Sequence, residues 1–325
     1  MKRYILLLLS LFILSCEMPT EEKGSVFLIS CSLDYENTTV SSLECTNEDQ
    51  LAVIEQFSFL SSLQDKAFFS YSLTQDGNNI YERTMTNPIF GDSVDRKVYF
   101  DLSNFKNRLK RIFDKVSLIS NPEDLIIFYY AGHGVNGYSS NDMDIRYLNG
   151  SLVMGNIEFP DIGDWKKLDS NMKYLYPLDE LRIDISSIPG KKLIILDSCY
   201  SGEIIKDELE EGDIQTLLKR LVKPSRVYFD GIWELSGSRY DEESFEELFD
   251  DDVYHGRFTS ALLTELGYQY GDTWEGPGEP RKGKITVYSL YEGVTQRIND
   301  RDQHPDTSLS FIDLVIFNHQ GIYRT

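Results

Sequence analysis

The sequence predicts an α/β sandwich of three layers, in which helices flank a mostly parallel central sheet. Apolar runs of strand length, rich in β-branched residues, alternate along the chain with segments of helical apolar spacing. The 325 residues, 41% of them apolar, suffice for a core that needs no disulfide framework. Since we find no internal repeat, residues 25–320 are predicted to form one domain.

The predicted elements follow from these patterns in chain order. Strands are expected where apolar runs are continuous, at 25–33, 68–73, 125–130, from 190 onward, within 225–238 and at 308–317. Helices are expected at 47–63, 103–116, 204–221, 256–271 and 286–298. Gly267 is placed to end the fourth of these helices as a C-cap. Residues 136–190 are less regular and indicate a loop-rich insertion with room for a hairpin.

The N-terminal residues indicate a leader rather than part of the fold. A basic start at Lys2 and Arg3 precedes an apolar run that is too short for a bilayer, which needs about 20 residues. The ending Ser15-Cys16 resembles a bacterial lipobox. We therefore expect a lipoprotein signal peptide at 1–15, lipidation of Cys16, a tether at 16–24, and anchorage in the bacterial cell envelope. An ordinary secretory signal with a chance cysteine is the alternative.

Composition narrows the class of partner. The net charge of -21 argues against nucleic acid, because phosphate binding needs clustered Lys and Arg. The acidity indicates a solvated surface, or else a contribution from calcium sites or cationic substrates. The acidic run Asp241–Asp252 offers oxygen ligands but matches no EF-hand loop, so calcium is left open as an activator. No His-x-x-x-His or Cys-x-x-Cys pair appears, and no metal or other cofactor is expected to be required.

Two predicted core strands end in polar, glycine-rich turns. The first turn presents His133 between two glycines, and the second presents Cys199. In parallel α/β sheets such strand ends form the ligand-binding edge, and a cysteine nucleophile needs a base to generate its thiolate. The backbone at Gly134 has room to approach a substrate carbonyl, so that its N–H would donate to an oxyanion. Together the turns predict a Cys–His dyad, although a structural histidine or an inert cysteine would explain either one alone.

The segments "YYAGHG" and "LIILDSCYSG" resemble the caspase-like cysteine peptidases, and among them the bacterial and metacaspase-type members. Four further segments are similar to family motifs in the same order: "SLECTNEDQ", "YLYPLDE", "LSGSRYDEES" and "HGRFTSALLTEL". The turn "DQHPDTS" is similar to the family's Q-x-P turn. The resemblance extends over roughly residues 25–318 and implies the caspase-like form of the predicted sandwich.

The resemblance also implies roles for individual residues. Cys199 would be the nucleophile, His133 the general base and acid, and the N–H groups of Gly134 and Cys199 the oxyanion hole. Asp197 and Glu48 align with acidic residues of the S1 pocket, which implies cleavage of proteins or peptides after Arg or Lys. A loop cap for Asp197, and a helix N-terminal acid for Glu48, are the alternatives left open. The peptidase is expected to be a monomer.

Some positions depart from the family pattern. Tyr200 follows the nucleophile where metacaspases usually have His, and Ala131 and Ser238 replace a Ser and a Cys of some relatives. The altered sequence from Asp241 puts detailed substrate contacts in doubt. A catalytically silent, peptide-binding scaffold of the same fold therefore remains the alternative function.

The remaining cysteines and histidines are assigned no chemistry. Cys31 and Cys45 are expected to be buried thiols, with a disulfide between them as the alternative in an oxidising compartment. The other three histidines are expected at the surface: His255, His304 and His319.

Overall fold

A computed structural model describes residues 24–87, 94–135, 150–157, 172–204, 231–248, 254–270, 276–281, 283–298, 302–308 and 313–319. The strands are β1 (Val26–Ser32), β2 (Phe68–Asp76), β3 (Asn79–Asn87), β4 (Val94–Asp101), β5 (Leu125–Ala131), β6 (Gly134–Val135), β7 (Ser151–Val153), β8 (Leu175–Pro177), β9 (Lys191–Asp197), β10 (Ile232–Ser236), β11 (Glu246–Leu248), β12 (Tyr254–Gly256), β13 (Gly283–Thr286), β14 (Asp306–Thr307) and β15 (Val315–His319). The helices are α1 (Thr46–Leu63), α2 (Phe105–Ile119), α3 (Leu178–Ser186), α4 (Arg257–Leu266) and α5 (Val287–Ile298).

The central sheet has eight strands in the order β14-β10-β9-β5-β1-β2-β3-β4. Its middle is parallel, because β10, β9, β5, β1 and β2 all pair in that sense. The antiparallel strands lie at the edges, with β3 and β4 on one side and β14 on the other. The prediction of a mostly parallel sheet is confirmed.

Two apolar clusters, one on each face of this sheet, make the three layers. One joins alternate side chains of β1 and β5 to α2 and α3, with Phe105, Leu109 and Leu181 fully buried. The other joins the opposite side chains of the same strands to α1, α4 and α5. Because both faces are covered, β1 and β5 are buried at every position, which explains their continuous apolar sequences.

Several expected elements differ in detail. The hairpin of β3 and β4 was not predicted, because its residues are mostly polar and partly exposed at the sheet edge. Within 136–190 the structure places β7, β8 and the helix α3, and these two strands form a small sheet with β6, which precedes the insertion. The last predicted strand is present as β15, but it pairs with β13 outside the central sheet. Gly267 is the left-handed C-cap of α4, as predicted.

Some predictions lie outside the described residues. These are the signal peptide, Cys16, nearly all of the tether, and all but the first residue of the helix predicted at 204–221. Among the residues that the structure describes, no helix is long and apolar enough to cross a membrane.

Candidate active site

The ends of β5 and β9 bring the two predicted catalytic turns together. The strands pair in parallel with Ala131 opposite Asp197, so His133 and Cys199 follow the last paired residues at the same edge of the sheet. The N–H of Gly132 donates to the carbonyl oxygen of Asp197 at 3.2 Å and extends this pairing into the turns. The dyad residues therefore occupy the edge where parallel sheets bind ligands.

Gly134 makes the closest approach between the turns. A Cβ at this position would lie 2.0 Å from the carbonyl oxygen of Cys199, so no other residue fits without displacing the nucleophile turn. The N–H of Val153 donates to the carbonyl of His133, so these two residues form a hydrogen-bonded pair. Gly134, the next residue, faces Leu152 and therefore belongs to a non-hydrogen-bonded pair. At such a position the N–H faces away from the partner strand. This orientation suits the predicted oxyanion donor.

The His133 turn is held mainly by Tyr35. The N–H of His133 donates to the Tyr35 hydroxyl at 2.8 Å, and the two rings contact each other at a tilt of 41°, with centroids 4.6 Å apart. The Tyr130 hydroxyl donates to the carbonyl of His133 at 2.9 Å. The half-buried imidazole places Nε2 2.8 Å from the carbonyl oxygen of Ser41, an exposed residue.

Cys199 is half-buried, and its thiol contacts the backbone of Ser244 instead of His133. The N–H of Ser244 donates to Sγ at 3.4 Å, and the thiol donates to the carbonyl of Ser244 at 3.8 Å. No hydrogen bond joins the imidazole of His133 to Sγ, both residues being within the described part of the chain. Burial raises the pKa of the Cys199 thiol, and the negative charge of Glu243 adds to this. In the resting structure Cys199 is therefore a thiol.

Asp197 is buried beside the nucleophile turn and binds protein groups through both carboxylate oxygens. Oδ1 accepts the hydroxyl of Ser244 at 2.7 Å. Oδ2 accepts the hydroxyl of Thr259 at 2.6 Å and its N–H at 3.1 Å, at the third residue of α4. Burial raises the pKa of Asp197 above its usual value, and these hydrogen bonds offset only part of the rise. The carboxylate thus joins the thiol region to a helix N-terminus.

Glu48 and Asp49 are adjacent in the first turn of α1 but lie in different surroundings. Glu48, the second predicted S1 acid, is exposed. Asp49 is buried and bonds the N–H of Gly256 at 2.8 Å and Nδ1 of His255 at 2.9 Å. Burial raises the pKa of Asp49 to about 6, and the charge of Asp197 adds to this.

The prediction of a surface position for His255 is wrong. The residue is only 2% exposed, because the buried carboxyl group of Asp49 offers its Nδ1 a hydrogen-bond partner. The adjacent Gly256 separates two acids: a Cβ there would lie 2.4 Å from Oδ2 of Asp197 and 2.9 Å from Oδ2 of Asp49. His304 is partly exposed and pairs with Glu242 through Nδ1 at 2.8 Å.

Ser244 and Gln303 belong to this site, although no chemistry was predicted for either. Gln303 is buried and its Nε2 donates to the Ser244 hydroxyl at 3.0 Å and to the carbonyl of Gly237 at 2.9 Å. Both lie in quoted motifs, Ser244 in "LSGSRYDEES" and Gln303 in "DQHPDTS". The motifs were the only signal, since neither residue type is distinctive alone.

The other described thiols, Cys31 and Cys45, have no role in the proposed chemistry. Cys31 and Cys45 are buried and not disulfide-bonded, as predicted. The thiol of Cys45 donates to Glu246 at 2.9 Å, a residue of the acidic run predicted as a source of calcium ligands. Over the described ranges, no group of three or more His, Cys, Asp or Glu side chains is arranged to hold a metal ion.

Comparisons with known proteins leave the family open. No protein-family model and no curated protein matches the chain. Among solved structures, the protein GSU0716 from Geobacter sulfurreducens is similar at 14% identity, over 88% of this chain and 94% of that chain, with a TM-score of 0.48. A likeness this distant carries no argument about function.

Proposed function

We propose that the chain is a cysteine endopeptidase in which Cys199 is the nucleophile and His133 the general base. The observation that carries the proposal is the contact between the two turns, in which Gly134 packs against the carbonyl of Cys199 at one edge of a parallel sheet. This contact supports the proposal, because the proposed nucleophile, base and backbone donor all follow neighbouring strands at one edge of the sheet.

The proposed reaction proceeds in two stages. Sγ of Cys199 attacks the scissile carbonyl carbon while the thiol proton passes to the imidazole of His133. The oxyanion accepts hydrogen bonds from the N–H groups of Gly134 and Cys199. The C–N bond then breaks as His133 protonates the leaving amine. Water, losing a proton to His133, hydrolyses the thioester and releases the acid.

The contact of Nε2 with the carbonyl of Ser41 is compatible with this role, because a carbonyl only accepts hydrogen bonds. The neutral ring then carries its proton on Nε2 and has Nδ1 as the basic nitrogen. Catalytic hydrogen bonds often form only when substrate is bound.

Cleavage after Arg or Lys is the proposed specificity. Support comes from the resemblance at Asp197 and Glu48 and from the net charge of -21. Asp197 already binds Ser244 and Thr259, so a cationic side chain would approach its buried carboxylate as an additional partner. Exposed Glu48 is accessible to such a side chain. Charge-assisted hydrogen bonds to these acids would favour Arg or Lys over Asp.

The proposed setting is a lipoprotein of the bacterial cell envelope, anchored through Cys16 and acting as a monomer on protein or peptide substrates. The support is the leader sequence alone. Calcium is proposed only as an activator.

A catalytically silent scaffold of the same fold is the second candidate. The observation in its favour is the resting geometry, in which the thiol of Cys199 bonds the backbone of Ser244 rather than His133 and its pKa is raised. Covalent labelling with a peptidyl-arginine chloromethyl ketone separates the two functions. We expect labelling of the wild type at Cys199 and none of Cys199→Ala. An unlabelled wild type, with and without calcium, would favour the scaffold.

A further inference from the structure

The backbone of Ser244 contacts the thiol from outside both catalytic turns. Its N–H donates to Sγ of Cys199 at 3.4 Å, and its carbonyl accepts from the thiol at 3.8 Å. On deprotonation the thiol loses its only proton, so the carbonyl contact ends while the N–H contact becomes charge-assisted and stronger. The N–H of Ser244 therefore favours the thiolate.

The side chain of Ser244 fixes the position of this N–H. Its hydroxyl donates to Oδ1 of Asp197 at 2.7 Å and accepts from Nε2 of Gln303 at 3.0 Å. Gln303 also accepts the N–H of Phe245 through Oε1 at 3.2 Å. A serine hydroxyl has one proton to donate, and here that proton and one lone pair are both used.

The partners of Ser244 are themselves held by further hydrogen bonds. Both Asp197 and Gln303 are buried, and each is bonded to a neighbouring element of regular structure. Asp197 binds Thr259 at the start of α4, and Gln303 binds the carbonyl of Gly237 just after β10. The Ser244 backbone is therefore held to the thiol from two sides, although it lies between β10 and β11 without regular structure of its own.

We propose that Ser244 is a positioning residue for the nucleophile, whose hydroxyl holds its own backbone N–H against Sγ of Cys199 to stabilise the thiolate. The inference rests on the proposed function of Cys199 as the nucleophile. It adds Gln303 to the site and gives Asp197 a role besides substrate binding.

The test is the pH dependence of iodoacetamide alkylation at Cys199, followed in the full chain by peptide mass mapping. In Ser244→Ala the inflection is expected to move upward by about one pH unit, because a hydrogen bond that favours the thiolate is loosened. Ser244→Thr retains the hydroxyl and should keep the wild-type inflection. The matched control is Ser187→Ala, which removes an exposed hydroxyl bonded only to a backbone carbonyl.

Two outcomes would overturn the inference. An unchanged inflection in folded Ser244→Ala would show that the hydroxyl does not position the N–H. The same shift in Ser244→Ala and Ser244→Thr would show that packing, and not the hydroxyl, matters. Should Ser244→Ala fail to fold, Gln303→Met takes its place: it removes the donor to the hydroxyl and should also raise the inflection, whereas an unchanged value contradicts the proposal.

The measurement is independent of peptide cleavage, since alkylation needs no substrate. A shifted inflection in a protein that cleaves no peptide would refute the peptidase proposal and leave the positioning role intact. Cleavage by the wild type with no shift in Ser244→Ala would support the peptidase proposal and overturn the positioning role of Ser244.

Discussion

The two halves of the candidate site are held in different ways. On the thiol side, buried Asp197 and Gln303 and half-buried Ser244 form a connected hydrogen-bond network around Cys199. On the imidazole side, the half-buried ring of His133 contacts an exposed carbonyl through one hydrogen bond. Cys199 is therefore held beside a connected network, whereas the imidazole ring of His133 is oriented by one hydrogen bond at Nε2 and by its contact with Tyr35.

This difference predicts which substitutions affect turnover alone and which also affect stability. Removing one member of a buried polar network destabilises the folded state strongly, because the remaining groups lose their hydrogen-bond partners where water cannot replace them. An exposed single hydrogen bond contributes little to stability. Changes on the imidazole side should therefore affect turnover, and changes on the thiol side should affect both turnover and folding.

The largest effect is expected from His133→Ala. Without the general base, kcat/KM should fall by about 10²–10⁴-fold. The free energy of unfolding should change by less than about 1 kcal/mol, because the side chain is half-buried and the hydrogen bond of its Nε2 is to an exposed residue. Peptide hydrolysis and urea denaturation measure the two quantities. A loss of several kcal/mol without a loss of turnover would remove the contrast between the halves.

Asp197→Ala should lower the free energy of unfolding by about 3 kcal/mol, because it leaves the buried donors of Thr259 and the hydroxyl of half-buried Ser244 without their acceptor. Urea denaturation checks this value. Asp197→Asn is the matched control: one amide oxygen still accepts, so the loss should be smaller. Equal and minor losses in both variants would show that the network does not fix the thiol side.

Asp49, next to this network, should make stability depend on pH. Burial raises its pKa to about 6, so the folded state favours the protonated carboxyl. The stability from that protonation is complete below the unfolded pKa of about 4 and is lost as pH rises through about 6. Relative to Asp49→Asn, the wild type should therefore lose about 2 kcal/mol between pH 4 and pH 7. A wild-type curve parallel to that of Asp49→Asn in urea denaturation would contradict this assignment.

The sequence predicted those parts of the fold that continuous apolar patterns encode. The buried runs of β1, β5 and β9 identified the parallel centre, and the polar turns after β5 and β9 identified the dyad residues. The edge hairpin of β3 and β4 escaped prediction, because a partly exposed strand needs no apolar run.

The remaining parts of the site arise from tertiary contacts. His255 was expected at the surface since nothing local reveals that Asp49, distant in sequence, lies beside it. Ser244 and Gln303 likewise meet only through folding, 59 positions apart. Backbone donors such as the N–H of Ser244 carry no side-chain signal at all, so their role emerges only from the geometry.

The most direct test of the central claim is the turnover of fluorogenic peptides that carry Arg, Lys or Asp at P1, by wild type and Cys199→Ala. We predict that the wild type hydrolyses Arg and Lys peptides in preference to Asp peptides, and that folded Cys199→Ala hydrolyses none. Equal turnover by both proteins would contradict the role of Cys199 as the nucleophile. A preference for Asp would contradict the proposed acidic S1 pocket.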